Sequence, residues 1–474
     1  MHAEGMAEQL SAEERAARGK AIRKDVPLES HADFRKGTAR DPIGLLMEQA
    51  KGRVPELVPI RHGRMLVSPF TFYRGGALIM AADLAQTPAT GLSVQLCGDA
   101  HLSNFGGYGS PERRLVFDIN DFDETAPGPF EWDVKRLAAS FVVAGRDNEF
   151  SAKQCRDMTL TAVRSYREAI RDFAAQPMMA VWYARLDVDD VLSQYWGTLS
   201  SKEQKRRKAQ LKTAKGTIAK AHTRDSMQAI GKLTTVVDGQ RRIVSSPPLI
   251  VPLSELVDYD RDAVLAQLNQ LFDDYRETLQ PDRRHLIDQF RFTDVAHKVV
   301  GVGSVGTRAW ILLLESAVER GALLLQAKEA GPSVLSAYAE GPEPPNQGER
   351  VVVGQRMMQA TSDIFLGWVR AQPAEGGEKD YYVRQLRDWK VSADIETMKP
   401  EGMELYARLC GWTLARAHAR SGDRFALASY LGKSDRFDNA VTDFAVSYAD
   451  QNQRDHEALV EAVASGRVEA RTGV

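Results

Sequence analysis

Cysteine is scarce in this chain of 474 residues. Its three cysteines, Cys97, Cys155 and Cys410, lie far apart and form no C-x-x-C pair, which argues against a disulfide framework or a thiolate zinc site. No apolar run approaches the ~20 residues that a membrane span requires. The first thirty residues are rich in Glu, Arg and Lys and lack the apolar core of a secretory signal. An excess of one charge is also missing: the formal net charge is −2, so no global field favours nucleic acid or membrane. No internal repeat is visible, and low complexity is confined to the Gly-Pro-Glu stretch at 341–345. These absences predict a reducing, cytoplasmic setting without a nucleic-acid partner.

What is present is an ordinary globular balance, 43% hydrophobic and 27% charged, over a length that suits two or three lobes. Residues 1–40 read as a mobile or surface-docked arm with a helix near Ser11–Arg23, followed by a short helix over Pro42–Lys51. Phe72–Ala85 reads as a helix with an apolar face, and Ser93–Cys97 as a short strand. Gly98–Gly109 reads as a loop, Leu115–Asn120 as a second strand and Glu131–Gly145 as a helix. Helices continue to about residue 230. The basic run Lys202–Lys220 is either a solvated helix face or a docking surface for an anionic partner. Asp238-Gly239 signals a hairpin, and Leu256–Leu279 a further helix. From Lys298 the pattern turns to strands around a glycine-rich turn, then a helix at Gln347–Gln359, strands at Ile364–Arg370 and Tyr381–Leu386, and helix from Glu401 onward.

The most informative text is CGDAHLSNFGGYGSPERRLVFDINDFDE, residues 97–124. Asp99 and Asn104 stand five positions apart in one loop after a strand. The next strand ends in Asp121-Phe122-Asp123. Paired strands would bring a carboxylate, an amide oxygen and further carboxylates to one point. Such hard oxygen ligands (Asn104, Asp121, Asp123) suit Mg²⁺, which keeps waters and borrows phosphate oxygens. Asp99 is then left to orient or deprotonate a substrate hydroxyl. Asp118 is a rival for Asp121, but its mid-strand position points it away from the turn.

This arrangement resembles the catalytic core of the protein-kinase-like superfamily, and most closely its aminoglycoside and choline kinase branch, where the loop reads H-G-D-x-H-x-x-N and a following strand ends in I-D-F. Gly98, Asp99, His101 and Asn104 match the loop, and Asp121-Phe122 the metal turn. Cys97 departs from the pattern, which has His there. The resemblance implies Asp99 as catalytic base, and Asn104 and Asp121 as magnesium ligands with Asp123 beside them. It gives His101 a supporting place. Asp133, in EWDVKRLA, resembles an Asp that anchors the catalytic loop in small-molecule kinases; a first-turn helix Asp favoured by the helix dipole is the equal alternative.

GVGSVGTR, residues 301–308, is weak evidence alone. Its context is strand, glycine loop, strand, turn and a strand carrying Lys328, which resembles a kinase small lobe. Gly301, Gly303, Ser304 and Gly306 would cover the phosphates of ATP, and Lys328 would contact them. Glu349 is the chosen carboxylate partner of Lys328, although its place three residues after Asn346 also fits a capping box; Glu329 and Glu340 are the other candidates. The order is inverted relative to an ordinary kinase, because the glycine loop follows the acidic loop. The expectation is an α+β, circularly permuted, two-lobed kinase-like fold. Its parts would be an arm (1–40), a large lobe with a helical insertion (41–290), a small antiparallel-sheet lobe (291–392) and a C-terminal helical part of the large lobe (393–474).

SPFTFYRGG, CGDAHLSNFG, VFDINDFDE, EWDVKRLA and GVGSVGTR together resemble the bacterial family called domain of unknown function 2252, over about residues 30–455. That family name implies no activity. The motifs themselves predict an ATP- and Mg²⁺-dependent phosphotransferase acting on a hydroxyl or amine. The alternatives are nucleotidyl transfer on the same fold, a nucleotide-binding regulator without turnover, and a metal-dependent phosphohydrolase, which would need more His and Asp ligands than the loop offers.

Overall fold

The computed structural model describes residues 10–34, 40–205, 208, 212, 215–216, 218–219, 226–247, 249–256, 261–298, 305–316, 318, 321–339, 341–372, 377–386, 389 and 391–473. Nine of the nineteen residues of the basic run 202–220 lie outside them. The fold is α+β. Among the described residues, no helix is long and apolar enough to cross a membrane.

One body of the fold is helical. Its centre is the pair Ala152–Ala174 and Pro400–Ser421, joined along a seam of small residues. A methyl group on Gly411 would run into the carbonyl oxygen of Ala162, so glycine there sets how closely the two backbones approach. The first of these helices opens with a capping box, Ser151 and Gln154 exchanging side-chain and backbone hydrogen bonds. Phe130–Asp147, Arg424–Leu431 and Arg436–Ala464 complete the body. Phe130, Phe141, Tyr166, Leu414, Tyr430 and Phe444 belong to one buried core; sealing each such side chain from water contributes about 1.5–3 kcal/mol.

The other body is a six-stranded antiparallel sheet. Its order in space is Gly367–Ala371, Lys379–Gln385, Ala322–Ala330, Ala309–Ser316, Phe290–Lys298 and Ile250–Pro252. The sheet therefore draws its last strand from upstream of residue 291. The helix Gln347–Met358 lies against it, where Gly348 approaches the carbonyl of Tyr381 too closely for any side chain. Asp238 and Gly239 both take positive φ, 50° and 77°, and close a hairpin between Thr234–Val237 and Gln240–Ile243.

Two short ladders lie between these bodies. Ser93–Leu96 pairs with Ala126–Pro129. Leu115–Ile119 pairs with Phe105–Gly109, which pairs in turn with Val391–Ser392. Here the sequence reading of Gly98–Gly109 as a loop is corrected, because its second half is a strand. Three glycines in Phe-Gly-Gly-Tyr-Gly argue against strand propensity. A side chain on Gly106, however, would collide with Val391 and Asn120, and the glycine is what lets the neighbouring strand come close. The expected Phe72–Ala85 helix is two helices, Pro69–Gly75 and Ala77–Leu84, meeting at Gly76.

The described part of the N-terminal arm is docked. Helix Ala12–Ile22 packs on Arg424–Leu431 so tightly that Gly19 meets the backbone of Ala426. Arg23 donates through Nε to the Tyr430 carbonyl at 2.6 Å, and buried His31 bonds the Tyr430 hydroxyl through Nε2 at 2.7 Å.

Candidate functional site

The loop after Ser93–Leu96 is fixed from below. Asp133, in the first turn of Phe130–Asp147, accepts the N–H of Cys97 at 2.8 Å and of Gly98 at 3.0 Å. His418 Nε2 stands 3.4 Å from the same carboxylate, and its Nδ1 meets the Tyr166 hydroxyl at 2.9 Å. Asp133 is buried, so its bonds to the loop replace those that water would make. Gly98 has φ of 82°, and a methyl group there would strike the Glu124 carbonyl. Gly98→Ala is therefore expected to cost at least about 1–2 kcal/mol from the left-handed backbone alone, read as a lower denaturation midpoint. Wild-type stability would show that the loop can move away from Glu124.

Asp99 follows directly. Arg136, on the same helix as Asp133, donates through Nε to Asp99 Oδ1 at 2.6 Å. The Arg136 side chain is only 2% exposed and that of Asp99 17%, so the carboxylate is the more accessible member of the pair. His101 Nε2 lies 3.6 Å from Asp99 Oδ2, too far for a hydrogen bond. Burial pushes the Asp99 carboxyl above its ordinary value, and Arg136 opposes the shift. Burial also holds His101 well below its usual value, which disfavours the charged ring. Asn104 donates through Nδ2 to the Asp99 carbonyl at 2.8 Å, which leaves its amide oxygen without a partner among the described residues. The Asn120 N–H donates to the Asn104 carbonyl at 2.8 Å, setting the loop beside the acidic turn.

In that turn, Asp121 Oδ1 accepts the N–H of Asp123 at 3.1 Å. Both carboxylate oxygens of Asp123 are engaged, Oδ2 by Lys328 Nζ at 2.6 Å and Oδ1 by the Tyr382 hydroxyl at 2.7 Å. Lys328 and Tyr382 are cross-strand partners in the six-stranded sheet. Burial alone would raise the Asp123 carboxyl, but the Lys328 ammonium holds it below its ordinary value; burial and the adjacent Asp123 charge push Asp121 the other way. Glu124 is pushed up to about 7, chiefly by burial, while its Oε2 accepts the Val334 N–H at 2.7 Å. Arg350 stitches the turn to its surroundings, donating to the carbonyls of Thr125 at 2.5 Å, Asp123 at 2.8 Å and Gly331 at 2.9 Å.

Asp118 faces elsewhere. It is fully buried and accepts from Arg416 at 2.6 Å, from the Ala360 N–H at 2.8 Å and from its neighbour Ile119 N–H at 2.9 Å.

Of the glycine-rich motif, Gly301, Gly303 and Ser304 lie outside the described residues, as does Glu340. Gly306 has φ of 92°; its carbonyl accepts the Val54 N–H at 2.8 Å, and Arg53 donates to the Val305 carbonyl at 2.5 Å. The loop's last glycine is thus tied to the segment before the helix Val58–Met65. Glu329 pairs with Arg308 at 3.3 Å and Lys379 at 3.4 Å. Glu349 does not pair with Lys328. Its N–H caps onto Asn346 Oδ1 at 2.9 Å, and Asp123 is the carboxylate that Lys328 meets.

Arg136, Tyr382 and Arg350 were not anticipated from sequence. Arg136 was within reach, since it lies one helical turn after Asp133 and so on the same face. Tyr382 needed the strand register and Arg350 the packing of its helix, neither of which is written locally.

Among the described residues, no group of three or more His, Cys, Asp or Glu side chains stands ready to hold a metal. The donor set fits Mg²⁺ in the form that retains waters and phosphate oxygens. Asn104 Oδ1 and Asp121 Oδ2 have no protein partner among the described residues, whereas the oxygens of Asp123 are occupied by Lys328 and Tyr382.

No curated protein and no solved structure matches the chain. A family model does, that of the uncharacterized proteins conserved in bacteria grouped as domain of unknown function 2252, and it spans residues 53–462; with most of its length matched, the chain belongs to that family.

Proposed function

We propose that this protein is an ATP- and Mg²⁺-dependent phosphotransferase, built on a circularly permuted, two-lobed kinase-like fold and acting on a hydroxyl or amine acceptor. One observation carries the reading. Lys328 meets Asp123, 205 positions away in sequence, at 2.6 Å, two residues from Asp121 and beside the loop of Asp99 and Asn104. The contact supports the reading because a kinase uses such pieces together, and here they come from distant parts of the chain.

In this reading the Lys328 ammonium exchanges part of its contact with Asp123 for phosphate oxygens, and Tyr382 keeps Asp123 oriented. Asn104 Oδ1 and Asp121 would hold Mg²⁺, which supplies charge neutralisation on the phosphates. Asp99, fixed by Arg136 through one oxygen, presents the other to the acceptor and takes its proton. The acceptor oxygen or nitrogen bonds to the γ-phosphorus, the bond from that phosphorus to the β–γ bridging oxygen breaks, and ADP leaves.

Mg²⁺–ATP is expected to raise the melting temperature, because a ligand bound only by the folded state stabilises it, by about 2.7 kcal/mol at a hundredfold excess over Kd. No shift at millimolar Mg²⁺–ATP sinks the nucleotide site. Release of pyrophosphate instead of ADP during turnover would convert the assignment to nucleotidyl transfer.

A further inference from the structure

The face of the six-stranded sheet that meets the acidic turn carries a second cation. Lys328 stands opposite Tyr382, and Gln326 opposite Arg384. Directly opposed residues share a face, as do residues two apart on one strand. The four side chains therefore form one patch, with Lys328 and Arg384 as a diagonal pair, a separation within reach of long side chains. Lys328 Nζ lies 5.4 Å and the Arg384 guanidinium carbon 5.9 Å from the centre of the Tyr382 ring. That ring's hydroxyl donates to Asp123.

The two cations differ in what they have left to give. Lys328 is 4% exposed and committed to Asp123 at 2.6 Å. Arg384 is partly exposed. Its one hydrogen bond among the described residues, from Nη2 to Gln326 Oε1, is long at 3.5 Å. Its Nε and Nη1 are not among the nitrogens closed off from solvent. The carboxylates that act on its charge are Asp121, Asp123 and Asp363. Asp123 is held by Lys328 and Tyr382, Asp363 accepts the N–H groups of Phe365 and Gln385, and Asp121 is assigned to the metal. The Arg384 fork thus keeps solvent-reachable N–H groups beside the acidic turn and a lysine ammonium. Phosphate oxygens accept from such a fork in pairs.

We propose that Arg384 is a phosphate-binding residue and that, with Lys328, it grips one chain of linked phosphates. The ligand of this face is then a di- or triphosphate rather than a monophosphate. A chain serves both cations at once, and the gain from linking two contacts is lost to a single phosphate. That the chain belongs to a nucleotide rests on the phosphotransferase reading; the polyphosphate site does not.

The probe is inorganic tripolyphosphate, titrated by thermal shift at fixed free Mg²⁺ and constant ionic strength, with orthophosphate beside it. Wild type should bind tripolyphosphate more tightly than orthophosphate. Arg384→Gln should weaken tripolyphosphate binding by about tenfold or more, the worth of a charge-assisted hydrogen bond, and Lys328→Met should weaken it too. Arg291→Gln should not. It removes the same charge at the far end of the sheet, opposite Glu315, whereas Lys328 stands opposite Ala309. With one long hydrogen bond to lose, Arg384→Gln is expected to keep the wild-type melting temperature without ligand. Should it not fold, Arg384→Lys, which keeps the charge and loses the fork, is expected to weaken tripolyphosphate binding in the same direction. The proposal is overturned by equal tripolyphosphate binding in wild type and the folded Arg384 variant, by no preference of wild type for tripolyphosphate over orthophosphate, or by an equal loss in Arg291→Gln, which would make the effect one of net charge. Mg²⁺–ATP titrated against the same proteins separates the two readings. If wild type ignores it while tripolyphosphate behaves as expected, the nucleotide site falls and the polyphosphate site stands. If wild type and Arg384→Gln bind it equally, the nucleotide site stands and this role of Arg384 falls.

Discussion

Asp99→Asn should reduce turnover by about 10²–10⁴-fold, the usual contribution of a positioned general base, and leave Mg²⁺–ATP binding within a few-fold of wild type. The amide oxygen of Asn can still accept from Arg136, whose Nε lies 2.6 Å from Asp99 Oδ1. What it cannot do is take a proton from the acceptor. Asp121→Asn should behave differently, because it removes a charged oxygen from the Mg²⁺ site and should weaken nucleotide binding only when Mg²⁺ is present. Single-turnover kinetics and thermal-shift titrations with and without Mg²⁺ measure the two quantities separately. Equal loss of ATP binding in both variants would overturn the division of roles between the loop and the turn. Loss of turnover without loss of folding also requires that Asp99→Asn keep its melting temperature near wild type, since Arg136 is left with a neutral partner.

Asp118→Ala is expected to lower the unfolding free energy by about 3–5 kcal/mol, the cost of leaving one member of a buried ion pair alone. Asp118 and Arg416 are each 1% exposed in their side chains and lie 2.6 Å apart. The same carboxylate also accepts the Ala360 N–H, so its loss frees a strand, a helix and a connecting turn from one another. Urea denaturation measures the change. A loss below about 1 kcal/mol would mean that water or a neighbouring acceptor replaces the carboxylate at Arg416. If folded Asp118→Asn instead loses Mg²⁺-dependent nucleotide binding while Asp121→Asn is silent, the metal turn is misplaced by three residues.

The contrast between these two aspartates shows what local sequence can carry. Asp118 and Asp121 stand three apart in VFDINDFDE, and the alternation of a strand is enough to set one toward the interior and the other at the turn. The α+β character and the family were likewise legible, the first from switching periodicity and the second from several long motifs. Charge pairing was not. Lys328 was matched with Glu349 because a helix carboxylate was the expected partner, yet Asp123 is the carboxylate that meets both Lys328 and its cross-strand partner Tyr382. Sequence distance hid this, since nothing near Lys328 in the chain names residue 123. The strand Phe105–Gly109 was hidden for the opposite reason. Its glycines carry poor local propensity, and only the close approach of Val391 makes them necessary.

The clasp between Arg23 and Tyr430 joins residues 407 positions apart. During synthesis at ~5–20 residues per second, the helix Ala12–Ile22 emerges from the ribosome roughly 20–80 s before the helix it packs against. Throughout that interval its inward face, and the half-made core behind it, are open to chaperones and to neighbouring nascent chains. Closure of the helical body therefore waits for the late-made helix Arg424–Leu431, and a truncation that removes it leaves the first helix without its seat however well the acidic loop has formed.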